Sequence, residues 1–144
     1  MPSTTADTEL AARLRLAVTR LARRLRQKSD VEATASQISA LATVDRLGPL
    51  TIGELSAAER VQPPSMTRIV AALEELGLIQ RETDVKDRRV SHVRVTASGQ
   101  RLLERSRSRK NAYLAAKLRT LTESERATLA DAADILERVL ESEE

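Results

Sequence analysis

The sequence predicts a mainly α-helical fold with one small β-hairpin, and three observations support this prediction. Apolar residues recur at spacings of three and four along most of the 144 residues, as in helices that bury one face. The period changes to two only between residues 78 and 95, which predicts two short strands. The chain has one Tyr and neither Phe nor Trp, so its core must consist of Leu, Val, Ile and Ala, which suits packed helices.

Three helices are predicted in the first part of the chain. The first has an apolar face formed by Leu10, Leu14, Val18, Leu21 and Leu25. The second begins near Thr34, where Thr34 and Gln37 have the spacing of a capping box, and it ends at Gly48. A short third helix opens on a similar box formed by Thr51 and Glu54 and runs to about residue 58.

A fourth helix and a hairpin follow. The helix is predicted over residues 63–76, because Pro is tolerated in a first helical turn and Gly77 is a natural C-cap. Two short strands are predicted over residues 78–83 and 90–95. The polar and charged residues 84–89 form the turn between them.

The last two helices, which begin at Ala97 and after the cap at Thr122, carry opposite charge. Residues 97–119 hold seven Lys or Arg against one acid, whereas residues 120–144 hold two against eight. Residues 1–30 are also basic, with seven against three, and the formal net charge is +3. Basic surfaces attract nucleic-acid phosphates, but solvated helix faces have the same composition, so charge alone leaves both interpretations open.

Composition excludes several classes of site. With no Cys, the chain has no disulfide, no thiolate metal site and no cysteine-based redox sensor. No apolar run is long enough for a membrane span, and residues 1–10 lack the features of a secretory signal, so we expect a cytoplasmic protein without a membrane partner. The only histidine, His92, lies on a predicted strand, where a lone His is more often structural than a metal ligand. We therefore expect neither a metal nor another cofactor.

The third and fourth helices are separated by only a few residues, so we expect them to cross steeply and the fourth to project from the surface. A projecting helix of this kind fits the major groove of DNA, with its first residues at the base edges. The side chains near its start that lie off the apolar stripe are Pro64, Ser65, Thr67 and Arg68. Arg68 is suited to a guanine edge. The alternative is a solvated surface helix with an incidental Arg.

The turn of the predicted hairpin is a second candidate for DNA binding. It places the positive charges of Lys86, Arg88 and Arg89 on a narrow protrusion. An Arg side chain in a narrow minor groove is stabilised by the negative potential there. Asp87 is suited to orient a guanidinium through a charge-assisted hydrogen bond. A short helix pair followed by a hairpin with a basic tip predicts DNA binding better than either feature alone.

Residues 50–103 resemble the multiple antibiotic resistance regulator (MarR) family of winged helix-turn-helix repressors. Five stretches carry the resemblance, in chain order LTIGEL, PSMTRIV, LEELGLI, DRR and VTASG. The most specific of them is DRR, at residues 87–89. The flanking helices fit the family's order of six helices. The resemblance implies a winged helix-turn-helix flanked by N- and C-terminal dimerisation helices. It also implies a homodimer that binds a pseudo-palindromic double-stranded operator.

The resemblance assigns roles to particular residues. It implies that the fourth helix enters the major groove and that Arg89 enters the flanking minor groove with Asp87 as its supporting acid. Arg88 is implied to contact phosphate or the groove wall beside them. Candidate phosphate contacts elsewhere are Ser36, Gln37 and Thr51.

We expect a single domain over residues 1–144, in which residues 34–97 bind DNA and residues 6–30 and 98–142 form a dimer. The apolar stripes of the first and last two helices are too extensive for one small winged domain to cover, so we expect an isologous dimer to bury them. The expected interface residues are Leu10, Leu14, Leu118, Leu129, Leu136 and Leu140. Such a dimer spaces two recognition helices by about one DNA turn, ~34 Å. A monomer that buries the stripes internally is the alternative.

The alternatives to sequence-specific regulation are an enzyme, a protein-interaction module and a non-specific DNA-binding protein. An acidic stripe suggests an enzyme or metal site, but no nucleophile–base pair or phosphate-binding Gly loop accompanies it, so we expect no catalysis; the stripe consists of Asp131, Asp134, Glu137 and Glu141. A helical protein-interaction module and a non-specific DNA-binding protein remain as alternatives. For a regulator of transcription we expect a cytoplasmic, nucleoid-associated location. Many members of the resembled family release DNA when a small molecule binds, and whether this chain has such an effector stays open. Its class stays open, because the aromatic residues that often line such clefts are absent apart from Tyr113.

Overall fold

The computed structural model describes residues 4–143, and its elements follow the predicted order of four helices, a hairpin and two helices. The helices are α1 (Thr5–Ser29), α2 (Ala35–Leu47), α3 (Ile52–Glu59), α4 (Pro63–Glu75), α5 (Ala97–Leu118) and α6 (Glu123–Glu141). The antiparallel strands β1 and β2 span Ile79–Thr83 and Ser91–Val95. The predicted fold class, mainly α-helical with one small β-hairpin, is confirmed.

Threonine side chains begin five of the six helices. Four of them form complete capping boxes, in which the hydroxyl accepts the N3 backbone N–H and the N3 side chain accepts the cap N–H; the pairs are Thr4 with Asp7, Thr34 with Gln37, Thr51 with Glu54 and Thr122 with Glu125. The boxes predicted for the second and third helices and the cap predicted at Thr122 are confirmed. Each box satisfies two N–H groups that a helix start otherwise leaves without partners.

The core lies where α2, α3, α4, the hairpin and the first half of α5 meet. Its fully buried side chains come from all of these elements and include Leu41, Val44, Leu55, Met66, Val70, Leu73, Val93, Leu102 and Leu103. The connection between α2 and α3 joins the hairpin as well, because Leu50 and Val93 exchange two backbone hydrogen bonds of 3.2 and 2.7 Å. The hairpin is therefore fastened to the helical part by its backbone and not only by side-chain packing.

The ends of α4 and of the two strands differ slightly from the prediction. The backbone N–H of Leu78 donates to the Leu73 carbonyl and that of Gly77 to the Glu74 carbonyl, each at 3.0 Å, and Gly77 has a φ of 75°. These bonds form a Schellman motif, which ends α4 at Glu75 and leaves Leu78 in the turn before β1. Val90 likewise belongs to the hairpin turn, because its N–H donates to the Asp87 carbonyl at 3.0 Å.

The junction between the hairpin and α5 is tight around Gly99. The Thr96 hydroxyl donates to the Gly77 carbonyl at 2.6 Å, and this draws the start of α5 onto the end of α4. A Cβ atom at position 99 would collide with the backbone carbonyl oxygen of Leu78 and would lie 2.8 Å from Cγ1 of Val95. Only glycine fits at this crossing without a backbone shift.

We expect Gly99→Ala to lower the free energy of unfolding by about 1–3 kcal/mol or more, because the added methyl group overpacks a junction that backbone atoms surround. Gly53→Ala is the matched control. Position 53 lies inside α3, and its Cβ would meet only the Thr51 hydroxyl at 3.8 Å, an ordinary contact. The control is expected to raise stability by about 0.4–1 kcal/mol. Urea titrations of both variants measure the difference, and equal effects would contradict this account of the junction.

Candidate nucleic-acid interface

The start of α4 presents the side chains that the sequence predicted to read DNA. Three residues on the opposite face of the helix are buried and hold it on the core: Met66, Val70 and Leu73. Pro64, Thr67 and Arg68 are exposed, and Ser65 is half-buried. Within the described part of the chain, the Arg68 guanidinium is in no ion pair, so its donors are available to a ligand.

One of these side chains has less freedom than its sequence position suggested. The Thr67 hydroxyl donates to the Pro63 carbonyl at 2.9 Å, one turn earlier in the same helix. Its hydrogen is therefore used within α4, and towards a ligand Thr67 offers an oxygen acceptor and a methyl group.

A left-handed residue makes the turn into α4. Arg60 has a φ of 54°, and the Val61 backbone N–H donates to the Ser56 carbonyl at 3.0 Å. The helix then starts with prolines and has no side-chain cap at Gln62. This turn is short, as the sequence predicted for the connection between the two helices.

The tip of the hairpin is built around two aspartates. The Asp84 carboxylate accepts the backbone N–H groups of Lys86 and Asp87 at 2.7 and 3.2 Å, which folds the turn. Lys86 and Arg88 are exposed at this tip. The turn therefore holds its cationic side chains outward, as predicted.

Asp87 orients Arg89. Its carboxylate accepts the Arg89 backbone N–H at 3.1 Å and the guanidinium Nε and Nη2 at 3.1 and 3.3 Å. The bonds from the Arg89 side chain and then from its backbone hold the pKa of Asp87 below its usual value. The Arg89 side chain nevertheless stays 91% exposed. The guanidinium is thus fixed by one edge while the rest projects into solvent, and the expected supporting role of Asp87 has a geometric basis.

Two ion pairs stabilise the hairpin, and neither was predicted from the sequence. The Arg81 guanidinium on β1 binds Glu74 near the end of α4, with Nε 3.1 Å from Oε2. Across the strands, Arg94 lies 3.1 Å from Glu82. The first pair links the hairpin directly to α4. Partners that are apart in sequence and lie on different elements give no local signal that a sequence pattern could reveal.

The three candidate phosphate contacts lie at or beside the caps of helices. Ser36 is exposed in the first turn of α2. The Gln37 amide oxygen accepts the Thr34 backbone N–H at 3.0 Å, and the Thr51 hydroxyl accepts the Glu54 N–H at 3.1 Å. Capping occupies the acceptors of Gln37 and Thr51 but leaves their N–H and O–H donors, and a phosphate requires donors.

Comparisons with known proteins identify the family of the chain. The MarR family model matches residues 33–91. The HTH-type transcriptional regulator ML2140 of Mycobacterium leprae is 43% identical over 138 residues, which cover 94% of this chain and 96% of that protein. The chain belongs to the MarR family. This identification confirms the resemblance that the sequence motifs indicated.

Solved structures share the fold over nearly the whole chain. A transcriptional regulator structure from Pseudomonas aeruginosa has a TM-score of 0.87 at 37% identity, and the match covers 96% of this chain and 98% of that one. The solved structure of a MepR mutant from Staphylococcus aureus matches with a TM-score of 0.71 at 22% identity over 90% of this chain and 97% of that one. The second likeness concerns the fold alone.

This MarR-family chain leaves a large apolar surface exposed on its long helices. All six residues predicted for the dimer interface are exposed, from 36% for Leu136 to 66% for Leu140. Further exposed apolar residues extend the surface along α1 and α6: Leu16, Val18, Leu21, Ile135 and Val139. Among the described residues of α6, none is buried. Helices in proteins gain most of their stability from packing of an apolar face, and the apolar face of α6 has no such packing within the single chain.

A cleft separates the long helices from α2. Its volume is about 300 Å³, and its lining comes from α1, the α1–α2 connection, α2 and α5: Arg26, Ser29, Ala33, Ala35, Ile38, Ser39, Ala42 and Lys110. Tyr113 is not part of this lining. The ammonium nitrogens of Lys28 and Lys117 lie 5.6 and 5.7 Å from the centre of its ring. The lining therefore combines small aliphatic side chains with two serines and two cationic side chains.

The acidic stripe of α6 does not form a metal site. Asp131, Asp134, Glu137 and Glu141 share one exposed face of the helix. Across residues 4–143, no group of three or more metal-ligating side chains is close enough to hold an ion. Separately, the helices in that part of the chain lack the length and apolarity needed to cross a membrane.

Proposed function

We propose that this MarR-family transcriptional regulator binds an inverted-repeat DNA operator as a homodimer and represses transcription by occupying it. The observation that carries the proposal is the Arg89 guanidinium, which Asp87 fixes on an exposed hairpin tip. The family is one of transcriptional regulators and is not an enzyme class. We place the protein in the cytoplasm, on the nucleoid where its operator lies.

DNA is read by two parts of each protomer in this proposal. The first turns of α4 enter the major groove, where the free guanidinium of Arg68 donates to a guanine edge. The hairpin enters the adjacent minor groove, where Arg89 gains from the negative potential. Lys86 and Arg88 neutralise phosphates on either side. The Arg81–Glu74 ion pair supports this arrangement, because it holds the hairpin and α4 in one orientation.

The apolar surface of α1, α5 and α6 supports the homodimer. A second copy presents the same surface, so a twofold axis covers the exposed leucines of both chains at once. Domain limits follow from this assignment, with residues 34–97 on DNA and residues 6–30 and 98–142 in the interface. A mutant of MepR, which shares the fold, has a solved structure in which it is bound to an oligodeoxyribonucleotide.

Arg68→Ala is expected to relax discrimination at one base position in each half-site by about 1–3 kcal/mol, because a base edge loses its bidentate donor. Affinity for unrelated duplexes should change little. Titrations against a set of operators with single base substitutions measure the effect. A uniform loss across all of these duplexes would show that Arg68 contacts phosphate and not a base.

We further propose that an anionic, largely apolar molecule binds the cleft and releases the operator. Arg26 and Lys110 supply positive charge, and Ala33, Ile38 and Ala42 supply apolar contact. Benzoate is a probe of this class. It should raise the melting temperature of the wild-type protein and weaken operator binding, and Lys110→Ala should reduce both effects. If benzoate leaves both quantities unchanged at millimolar concentration, the assignment of this cleft to a small anionic effector is contradicted.

In vitro selection from a random duplex library tests the function without knowledge of the natural operator. We expect an enriched inverted repeat whose half-sites are centred about 10 base pairs apart, since the two recognition helices lie about one turn apart. Retention of DNA without sequence enrichment would favour the non-specific alternative. Failure to retain any DNA would favour the protein-interaction module.

A further inference from the structure

A carboxylate fastens the end of α3 to α2. Glu59, the last residue of α3, accepts the Ser39 hydroxyl at Oε2 with a distance of 2.8 Å and the Thr43 hydroxyl at Oε1. Ser39 and Thr43 lie one turn apart on α2, and Thr43 is buried. Within residues 4–143, no other side-chain hydrogen bond joins two of the helices α2, α3 and α4.

The position of this contact matters because the turn into α4 follows at once. Arg60 takes the left-handed conformation immediately after Glu59, and α4 begins three residues later without a side-chain cap. Apolar packing between the helices is not directional, whereas two hydrogen bonds to one carboxylate fix the rotation of the end of α3 on α2. The direction in which the chain enters α4 is set from this fixed point.

We propose that Glu59 is a positioning residue for the DNA-reading helix. It holds the α3–α4 turn so that the first residues of α4 meet the base edges, and it touches no DNA itself. This inference rests on the proposed function. The two hydrogen bonds from Ser39 and Thr43 to Glu59 are called the Glu59 clamp. Base-edge hydrogen bonds tolerate little displacement, whereas contacts to phosphates are adaptable. Loss of the clamp should therefore reduce sequence discrimination more than overall affinity.

The charge of Glu59 argues for a positional role. A carboxylate close to DNA repels phosphates, so removal of the charge alone should raise affinity for every duplex. Glutamine separates charge from hydrogen bonding, since its amide oxygen can accept the Thr43 hydroxyl and its NH₂ can donate to Ser39. Glu59→Gln therefore keeps the clamp without the charge, and Glu59→Ala removes both.

Selectivity is the readout that separates these effects. For Glu59→Ala we expect the ratio of affinities for the selected and scrambled duplexes to fall about tenfold, and for Glu59→Gln to stay within about threefold of wild type. Thr43→Val removes one hydrogen bond and keeps the shape of the side chain. Its ratio of affinities should lie between those of the two Glu59 variants. Equal ratios in wild type and Glu59→Ala, or equal behaviour of the alanine and glutamine variants, would overturn the proposal.

Hydrogen exchange provides a second readout that requires no DNA. Backbone amides of residues 60–62 and 65–70 should exchange faster in Glu59→Ala than in Glu59→Gln, while amides in the buried part of α5 keep their wild-type rates. Uniformly faster exchange would indicate a global loss of stability instead and would contradict a positioning role. If wild type selects no DNA sequence, the proposed function fails, and exchange still decides whether Glu59 holds the turn.

Discussion

Leu136→Glu on α6 should separate the dimer and abolish high-affinity operator binding. Leu136 lies on the apolar face of α6, whose described residues include none that is buried in the single chain, and in the proposed homodimer a second copy covers this face. A twofold interface would contain the substitution twice, and a buried carboxylate without a partner costs several kcal/mol. Sedimentation or light scattering should show a monomer, and operator affinity should fall by about a thousandfold, because one half-site no longer strengthens the other.

Ala130→Glu is the matched control for this substitution. It adds the same charge to the same helix, but on the face that carries Asp134, Glu137 and Glu141. This variant should stay dimeric and bind DNA nearly as wild type does. If Leu136→Glu remains a dimer with full affinity, the apolar surface of α6 serves a purpose other than self-association.

Arg89→Ala should weaken operator binding by about 1–3 kcal/mol at each hairpin, the cost of losing an arginine that reads a groove. The loss should depend on sequence, because narrow, A·T-rich minor grooves attract arginine most strongly. Titration of operators with A·T-rich or G·C-rich flanks measures it. Arg88→Ala is the neighbouring control. It should weaken binding to all duplexes alike and reduce the dependence of the binding constant on salt concentration. Equal losses for both variants on both flanks would show that Arg89 contacts phosphate only.

The Asp87–Arg89 contact also predicts a flat pH response near neutrality. The pKa of Asp87 in the folded protein is lowered, so the carboxylate keeps its charge and its grip on Arg89 above its usual pKa. The contact is lost only as the pH falls through that lowered value. The contribution of Arg89 to operator affinity should therefore be the same at mildly acidic and neutral pH.

Much of the fold is predictable from local sequence. Capping boxes and Gly77 act through neighbouring residues, so helix limits follow from short patterns. The spacing of Met66, Val70 and Leu73 likewise separates the buried face of α4 from the exposed Arg68. Asp87 and Arg89 are two positions apart, and their contact was predicted as a charge-assisted hydrogen bond.

The features that sequence reasoning missed depend on contacts between distant residues. The Leu50–Val93 backbone bridge, the Arg81–Glu74 ion pair and the Glu59 clamp each join separate elements. Side-chain type does not reveal such partners, since an Arg or Glu on an exposed face has the same local pattern with or without one. The hydroxyl of Thr67 is a related case, because sequence does not show that it bonds within its own helix.

One titration tests most directly whether the protein binds DNA sequence-specifically as a dimer. The purified protein is titrated against the selected inverted repeat, a single half-site and a scrambled duplex at several salt concentrations. We expect the inverted repeat to bind at least about a thousandfold more tightly than the scrambled duplex, with the half-site between them. Equal affinities and equal salt slopes for all three duplexes would contradict the claim and indicate a protein that coats DNA without reading it.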